Sequence, residues 1–336
     1  MKLSPARKLS LAGVALVIIG GLALVRWYRT ATGPVAESGQ PVTVEIERGS
    51  GAKVIARQLQ DQGLVRSAAA FEIMLALTGR SADLRAGFYE LSPAMPAREI
   101  AHKLASSEVV MRRLTIPEGL TIEQIAERVG ESGLATKAEF LAAAVPSKVA
   151  KLVDLRLPAD SLEGYLFPET YNFELGVKPE EIAARMVREL DERFAKPYQK
   201  QIGASKRSLH EIITLASLVE REAKLPAERG LIAGVLTNRL ERDTLLQCDA
   251  TVQYALGQHK PRVLYDDLKV ESPYNTYLHK GLPPGPIAAP GQASLEAALS
   301  PQKTDYLFYV ARPDGGHIFS STFEEHQAAI KQVRSP

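Results

Sequence analysis

Glu220 and Glu222 close a stretch, Ser208 to Lys224, whose residues Ile212, Ile213, Leu215, Ala216, Leu218 and Val219 read as a largely buried helix. Two effects at such a helix end disfavour an ionised carboxylate: loss of hydration beside aliphatic groups, and the negative end of the helix dipole. Both raise the pKa, as a general acid needs if it is to protonate a leaving oxygen near neutral pH. Two positions apart, the glutamates project from different faces and cannot both point into one cleft. The residues alone also allow a solvated charge cluster with Arg221 and Lys224. Glu163 is the rival acid, a lone carboxylate among Leu162, Tyr165, Leu166, Phe167 and Pro168. With Glu222 it could form the two-carboxylate pair of a hydrolytic glycosidase, or it could be a loop glutamate facing solvent. His279, His317 and His326 show no i, i+4 ligand spacing and no evident third ligand, so no metal is expected. No Gly-x-Ser-x-Gly elbow, phosphate loop or dinucleotide fingerprint is present, and no cofactor is expected.

These residues need a scaffold, and the chain reads as two copies of one. Val44-Glu45-Ile46-Glu47-Arg48-Gly49 is echoed by Leu114-Thr115-Ile116-Pro117-Glu118-Gly119. Helical patterns follow both and stop at Gly63-Leu64 and Gly133-Leu134, as glycine C-caps predict. Short helices are expected around Phe71 and Phe140. Gly87 to Leu91 and Ala97 to Ala101 then parallel Tyr171 to Phe173 and Pro179 to Ala183. Each copy reads strand, helix, helix, strand, helix. Only the second carries Leu162 to Thr170 before its second strand, and such an insertion on a rigid support is a natural place for chemistry. Beyond it, Pro226 to Arg242 predicts a helix with proline in its first turn. Ser272 to Gly291 predicts an ordered loop, Tyr306 to Ala311 with His317 to Ser320 a hairpin, and Phe323 to Val333 a last helix.

Leu9 to Val25 is an uncharged run of 17 residues behind Lys2, Arg7 and Lys8, with Trp27 and Tyr28 where an aromatic belt would sit. No small-x-small cleavage site follows it, which favours an anchor over a cleaved signal. The expected order is a cytoplasmic tail (1–8), a single inner-membrane span (9–26), a linker (27–42) and an exported body. The basic and acidic totals, 41 and 39, nearly cancel and give no support for a nucleic-acid partner. One cysteine, Cys248, excludes an intrachain disulfide and reads as a buried thiol.

Several motifs resemble one family. Leu162-Glu163-Gly164-Tyr165-Leu166-Phe167-Pro168-Glu169-Thr170-Tyr171 is similar to a signature of the YceG-like (MltG) endolytic murein transglycosylases. The likeness continues through Ala216 to Glu222, Asn238 to Leu240, Leu246 to Val252, Ser272 to Tyr277, Gly281 to Ile287 and Gly316 to Ser320. Glu169, Cys248 and Ala289 depart from it, where Asp, Ser or Thr, and Asn are frequent in the family.

The resemblance implies an α+β fold: the anchor, a LysM-like glycan-binding module at 43–110, and a catalytic domain at 111–334 that repeats the LysM-like scaffold. It places the catalytic glutamate at Glu222. It implies non-hydrolytic cleavage of the MurNAc–GlcNAc β-1,4 bond, leaving 1,6-anhydroMurNAc ends and ending the growth of nascent strands. The sugar's own 6-hydroxyl attacks, so one carboxyl group suffices as acid and then base. Residues expected to hold glycan are Glu163, Tyr165, Glu169, Tyr171, Glu220, Asn238, Gln247, Asp249, Tyr274, Asn275, Thr276 and His317. Glu222, Glu163, Asn238, Gln247, Tyr274, Asn275 and the 281–287 loop are expected to converge on one open groove. The implied partners are peptidoglycan strands and cell-wall synthases, with the catalytic domain in the periplasm. Two other readings stay open: a non-catalytic glycan-binding scaffold, and a two-carboxylate muramidase.

Overall fold

A computed structural model of the chain describes residues 5–258, 260 and 263–334, so the first four residues of the expected cytoplasmic tail lie outside it. The apolar N-terminal run forms α1 (Pro5–Ala31). Its stretch Gly13–Ala31 has a mean hydropathy of 1.4 and is only 6% buried, so by length and composition it is able to cross a membrane. By contact the chain divides into two units, residues 1–112 with 174–176, and 113–173 with 177–336.

In the first unit, β1 (Val42–Ile46), α2 (Ala52–Asp61), α3 (Ala68–Leu77), β2 (Gly87–Leu91) and α4 (Ala97–Ser106) follow α1. β1 and β2 pair antiparallel with Val44 opposite Tyr89. Alternate strand residues Val44, Ile46, Tyr89 and Leu91 meet Ile55, Leu59, Phe71, Ile100 and Leu104 from the helices in one core. Tyr89 is fully buried, and its hydroxyl donates to the Arg85 carbonyl at 2.9 Å. The segment of linker composition is tied down. Val35 and Ala36 donate to the Pro93 carbonyl at 2.9 and 3.1 Å, and Arg66 donates to the carbonyls of Pro34 and Val35. Composition is silent on this because main-chain groups, present at every residue, make the contacts.

In the second unit the order is β3 (Met111–Thr115), α5 (Ile122–Ser132), α6 (Lys137–Ala143), α7 (Pro146–Val149), β4 (Thr170–Glu174), α8 (Pro179–Leu190), α9 (Gln199–Ala204) and α10 (Leu209–Glu222). Then come α11 (Arg229–Glu241), α12 (Asp249–Leu256), α13 (Gln292–Leu299), β5 (Phe308–Ala311), β6 (His317–Ser320) and α14 (Phe323–Arg334). β3 pairs with β4, and β5 with β6 as the expected antiparallel hairpin. The fold is thus mixed helix and strand. One difference from expectation is that Pro226–Glu228 is a 3₁₀ turn, with the α-helix starting only at Arg229. Tight turns of this kind are common at helix N-termini.

The centre of the second unit is α10, with every residue from Ile212 to Val219 buried. A helix apolar all round needs neighbours on all sides, and α11, α12 and α13 pack against it. Ser208 caps it: its hydroxyl accepts from the Glu211 N–H, and the Glu211 carboxylate accepts from the Ser208 N–H at 2.7 Å. Ser208→Ala is expected to cost about 1 kcal/mol. Thermal melting should then fall by roughly 2–4 °C, with Glu222 still in place at the other end.

Candidate active site

The last turn of α10 delivers two carboxyl groups to different places, as a two-residue offset requires. Glu220 turns inward to an ion pair with Arg229 at 3.2 Å and accepts the Gly291 N–H at 2.9 Å. Glu222 goes the other way. Its Oε2 accepts from the Tyr309 hydroxyl at 3.1 Å, and its Oε1 lies 3.5 Å from the Ala250 N–H at the start of α12. Burial, then the nearby Asp249 carboxylate, push the Glu222 carboxyl up to about 7, against partial opposition from Tyr309, Ala250 and Arg221. It can therefore both give and take a proton near neutral pH.

Glu163 is buried at the opposite end of the α12 face. Both its oxygens accept from the Ile122 N–H at the start of α5, at 3.1 and 3.2 Å, and the Tyr254 hydroxyl is 3.4 Å away. Burial also raises this carboxyl to about 7, although the hydrogen bonds from Ile122 and Tyr254 favour its ionised form. Ala250, which meets Glu222, and Tyr254, which meets Glu163, are four residues apart on one face of α12. Both line an open groove of about 790 Å³. Its other walls include Ile122, Gln124 and Lys137, with Arg221 and Ile287.

The proline-rich loop braces this region. His210 joins it to the insertion, with Nδ1 3.0 Å from the Tyr165 hydroxyl and Nε2 3.0 Å from the Pro284 carbonyl oxygen. Ser217 accepts the Ile287 N–H at 3.0 Å. Gly164, in the left-handed region at φ +78°, lies against Pro286 so closely that a Cβ there would sit 2.4 Å from the proline.

Of the residues expected to converge on one groove, Glu163 and Ile287 line it; Glu222, Gln247, Tyr274 and Asn275 do not, and Glu222 reaches only the N–H of the groove-lining Ala250, at 3.5 Å. The Tyr274 ring packs against Tyr254, 4.9 Å between centroids. Asn238 is not brought there. Both its amide bonds go to the carbonyls of Thr304 and Tyr306, and it lines a separate depression with Lys206 and Lys303. Asn275 is fully buried, donating to the carbonyls of Leu268 and Val270. Thr276 bonds Thr251 and the Cys248 N–H. Gln247, held at φ +52°, accepts from Arg239, and Asp249 accepts from Tyr277. In the insertion, Tyr165 and Tyr171 are buried, the latter donating to the Phe167 carbonyl, while Glu169 pairs with Arg193 at 3.1 Å. His317 pairs with Glu228 at 2.7 Å. Several polar motif residues thus spend their hydrogen-bonding groups on the fold.

Sequence reasoning missed Tyr309, Tyr254, His210 and Ser217. For Tyr254 the only local signal is its i+4 spacing from Ala250, in a segment where no helix is expected from the sequence and the structure has α12. Tyr309 had none, because it meets Glu222 across 87 residues of chain.

The YceG-like family model matches residues 44–332. An endolytic murein transglycosylase of Bacillus subtilis (strain 168) is 37% identical over 334 residues, covering 95% of this chain and 92% of that protein. One from Streptococcus pneumoniae serotype 2 (strain D39) is 33% identical over 350 residues, covering 95% of this chain and 63% of its own. A crystal structure of a yceG-like protein from Listeria monocytogenes superposes with a TM-score of 0.60 at 40% identity, over 87% of this chain and 99% of that one. With the family model matched over most of its length, this chain belongs to the YceG-like family.

Proposed function

We propose that this chain is an endolytic murein transglycosylase and that Glu222 is its catalytic acid and base. What carries the reading is the position of the Glu222 carboxyl at the end of α10, between the Tyr309 hydroxyl and the N–H of the groove-lining Ala250, where burial raises it to about 7. The near full-length likeness to proteins named for that activity supports it. The reaction uses one carboxyl group twice. Protonated Glu222 gives its proton to the GlcNAc O4 as the bond from MurNAc C1 breaks. The resulting carboxylate then takes the proton of the MurNAc 6-hydroxyl as O6 bonds to C1, closing the 1,6-anhydro ring. No water enters, so no second carboxylate is needed to activate one. An enzyme that cuts within a strand must admit its middle, and the groove of about 790 Å³ that Ala250 and Glu163 line is the place this reading gives it. In this reading Glu163, Tyr254 and Gln124 line the path of the strand.

The finer organisation belongs to the same proposal. Residues 43–110 act as a LysM-like glycan-binding module, and residues 111–334 form the catalytic domain. Their shared order of strand, two helices, strand and helix supports a duplicated scaffold, with α7 and the insertion as additions to the second copy. The apolar helix is the single-pass inner-membrane anchor, with the body in the periplasm beside the synthases that make the strands.

The test is product analysis. The detergent-solubilised chain should release strands from sacculi with 1,6-anhydroMurNAc ends, detected by mass as products lacking one water. Reducing ends would show a muramidase instead. Binding without release would show a scaffold.

A further inference from the structure

We propose that Tyr309 is a positioning residue that fixes the catalytic proton of Glu222 on Oε1, the oxygen on the side of the groove-lining Ala250. The inference rests on the reading of Glu222 as the acid. A protonated carboxyl has one oxygen that carries the proton and one that is free to accept. The free oxygen takes the better donor. Tyr309 offers a hydroxyl at 3.1 Å to Oε2, whereas Ala250 offers an N–H at 3.5 Å to Oε1, a weak contact. Oε2 is therefore the acceptor and Oε1 the O–H.

The surroundings keep Tyr309 a donor. Burial and the neighbouring Glu222 push its hydroxyl well above the usual tyrosine range, so it retains its proton. Cys248 is its other close polar neighbour, and burial keeps that thiol neutral, with Sγ 3.8 Å from the Leu246 carbonyl oxygen. A thiol is a weak acceptor, which leaves Glu222 Oε2 as the better target for the tyrosine proton. The ring is held in turn by β5 and by an edge contact from His317, 5.3 Å between centroids, whose Nδ1 is on Glu228. The other charged or titratable groups around Glu222 and Tyr309 are Asp249, Arg221, Tyr277 and Arg239. Tyr277 is committed to Asp249, and Arg239 to the carbonyls of Leu245, Leu246 and Leu307. None of these competes for Oε2.

A hydrogen bond from Tyr309 also favours the carboxylate that forms once the proton has left, so removing it makes Glu222 a weaker acid. Tyr309→Phe keeps the ring and its His317 contact and deletes only the donor. In the full-length chain, kcat on sacculus strands should fall about three- to tenfold with KM unchanged. The alkaline limb of the rate profile should move up by about one pH unit. A ¹³C titration of glutamate side-chain carboxyls, with the Glu222 signal assigned by its loss in Glu222→Gln, should move by the same amount. Unaltered limb, titration and rate in Tyr309→Phe would overturn the placement. So would a uniform loss at all pH values with a lowered melting temperature, which marks a merely structural tyrosine. Failure of the underlying reading looks different: Glu222→Gln would then cut like wild type.

Discussion

Glu222→Gln is expected to lower sacculus cutting by about 10²- to 10⁴-fold, the contribution of a positioned general acid and base. The fold should be kept. The amide has the shape of the carboxyl, and its oxygen can still accept from Tyr309 at the Oε2 position. A stability signature should accompany the loss. The wild-type carboxyl is raised from 4.5 to about 7 on folding. Between these pH values the unfolded chain has released its proton while the folded one still holds it, so stability is present below 4.5 and declines as pH rises through 7. Glutamine does not titrate and escapes that decline. At pH 8 the variant should therefore be more stable than wild type by on the order of 3 kcal/mol, with a correspondingly higher melting temperature, and the gap should close at pH 4. Wild-type activity should follow the same carboxyl. It acts first as an acid, so cutting should fall about tenfold for each pH unit well above 7. Melting curves and strand release at pH 4, 6 and 8 check both effects. A folded Glu222→Gln chain that still cuts would pass the role to Glu163.

Gly164→Ala carries the second large effect, and it acts through packing. An alanine at φ +78° is strained, and its methyl group would meet Pro286 at 2.4 and 2.6 Å and Ile213 at 3.1 Å. Pro286 belongs to a loop pinned at Pro284 by His210 and at Ile287 by Ser217, so it has little room to retreat. Strain and overpacking together should cost on the order of 3 kcal/mol, a fall in melting temperature of about 10 °C. The insertion would also shift against the loop, carrying Glu163 off the Ile122 N–H. Activity should drop even at temperatures where the variant stays folded. A variant with wild-type melting and cutting would show that the insertion and the loop move freely past one another.

Much of this protein was legible before any coordinate. The apolar run of Ile212, Ile213, Leu215, Ala216, Leu218 and Val219 marks α10, because such a run is a local property of the chain; the capping box of Ser208 and Glu211 appears only in the structure. Asp314, Gly315 and Gly316 determine the hairpin of β5 and β6, and the N-terminal run determines an apolar helix long enough to cross a membrane. The motifs from Leu162 to Ser320 carried the family, and the two-residue offset of Glu220 and Glu222 already required different partners for them. Only the tertiary structure decided which partners. Glu220 closes on Arg229 and Gly291, while Glu222 faces Tyr309 and Ala250. Asn238 stands in a motif beside groove residues, yet its amide braces the carbonyls of Thr304 and Tyr306. The bonds that set the Glu222 and Glu163 environments span 87 residues to Tyr309, 28 to Ala250, 41 to Ile122 and 91 to Tyr254. No local pattern encodes such pairs, because a hydroxyl or an N–H becomes a partner only where packing carries it within about 3 Å of an acceptor and excludes water.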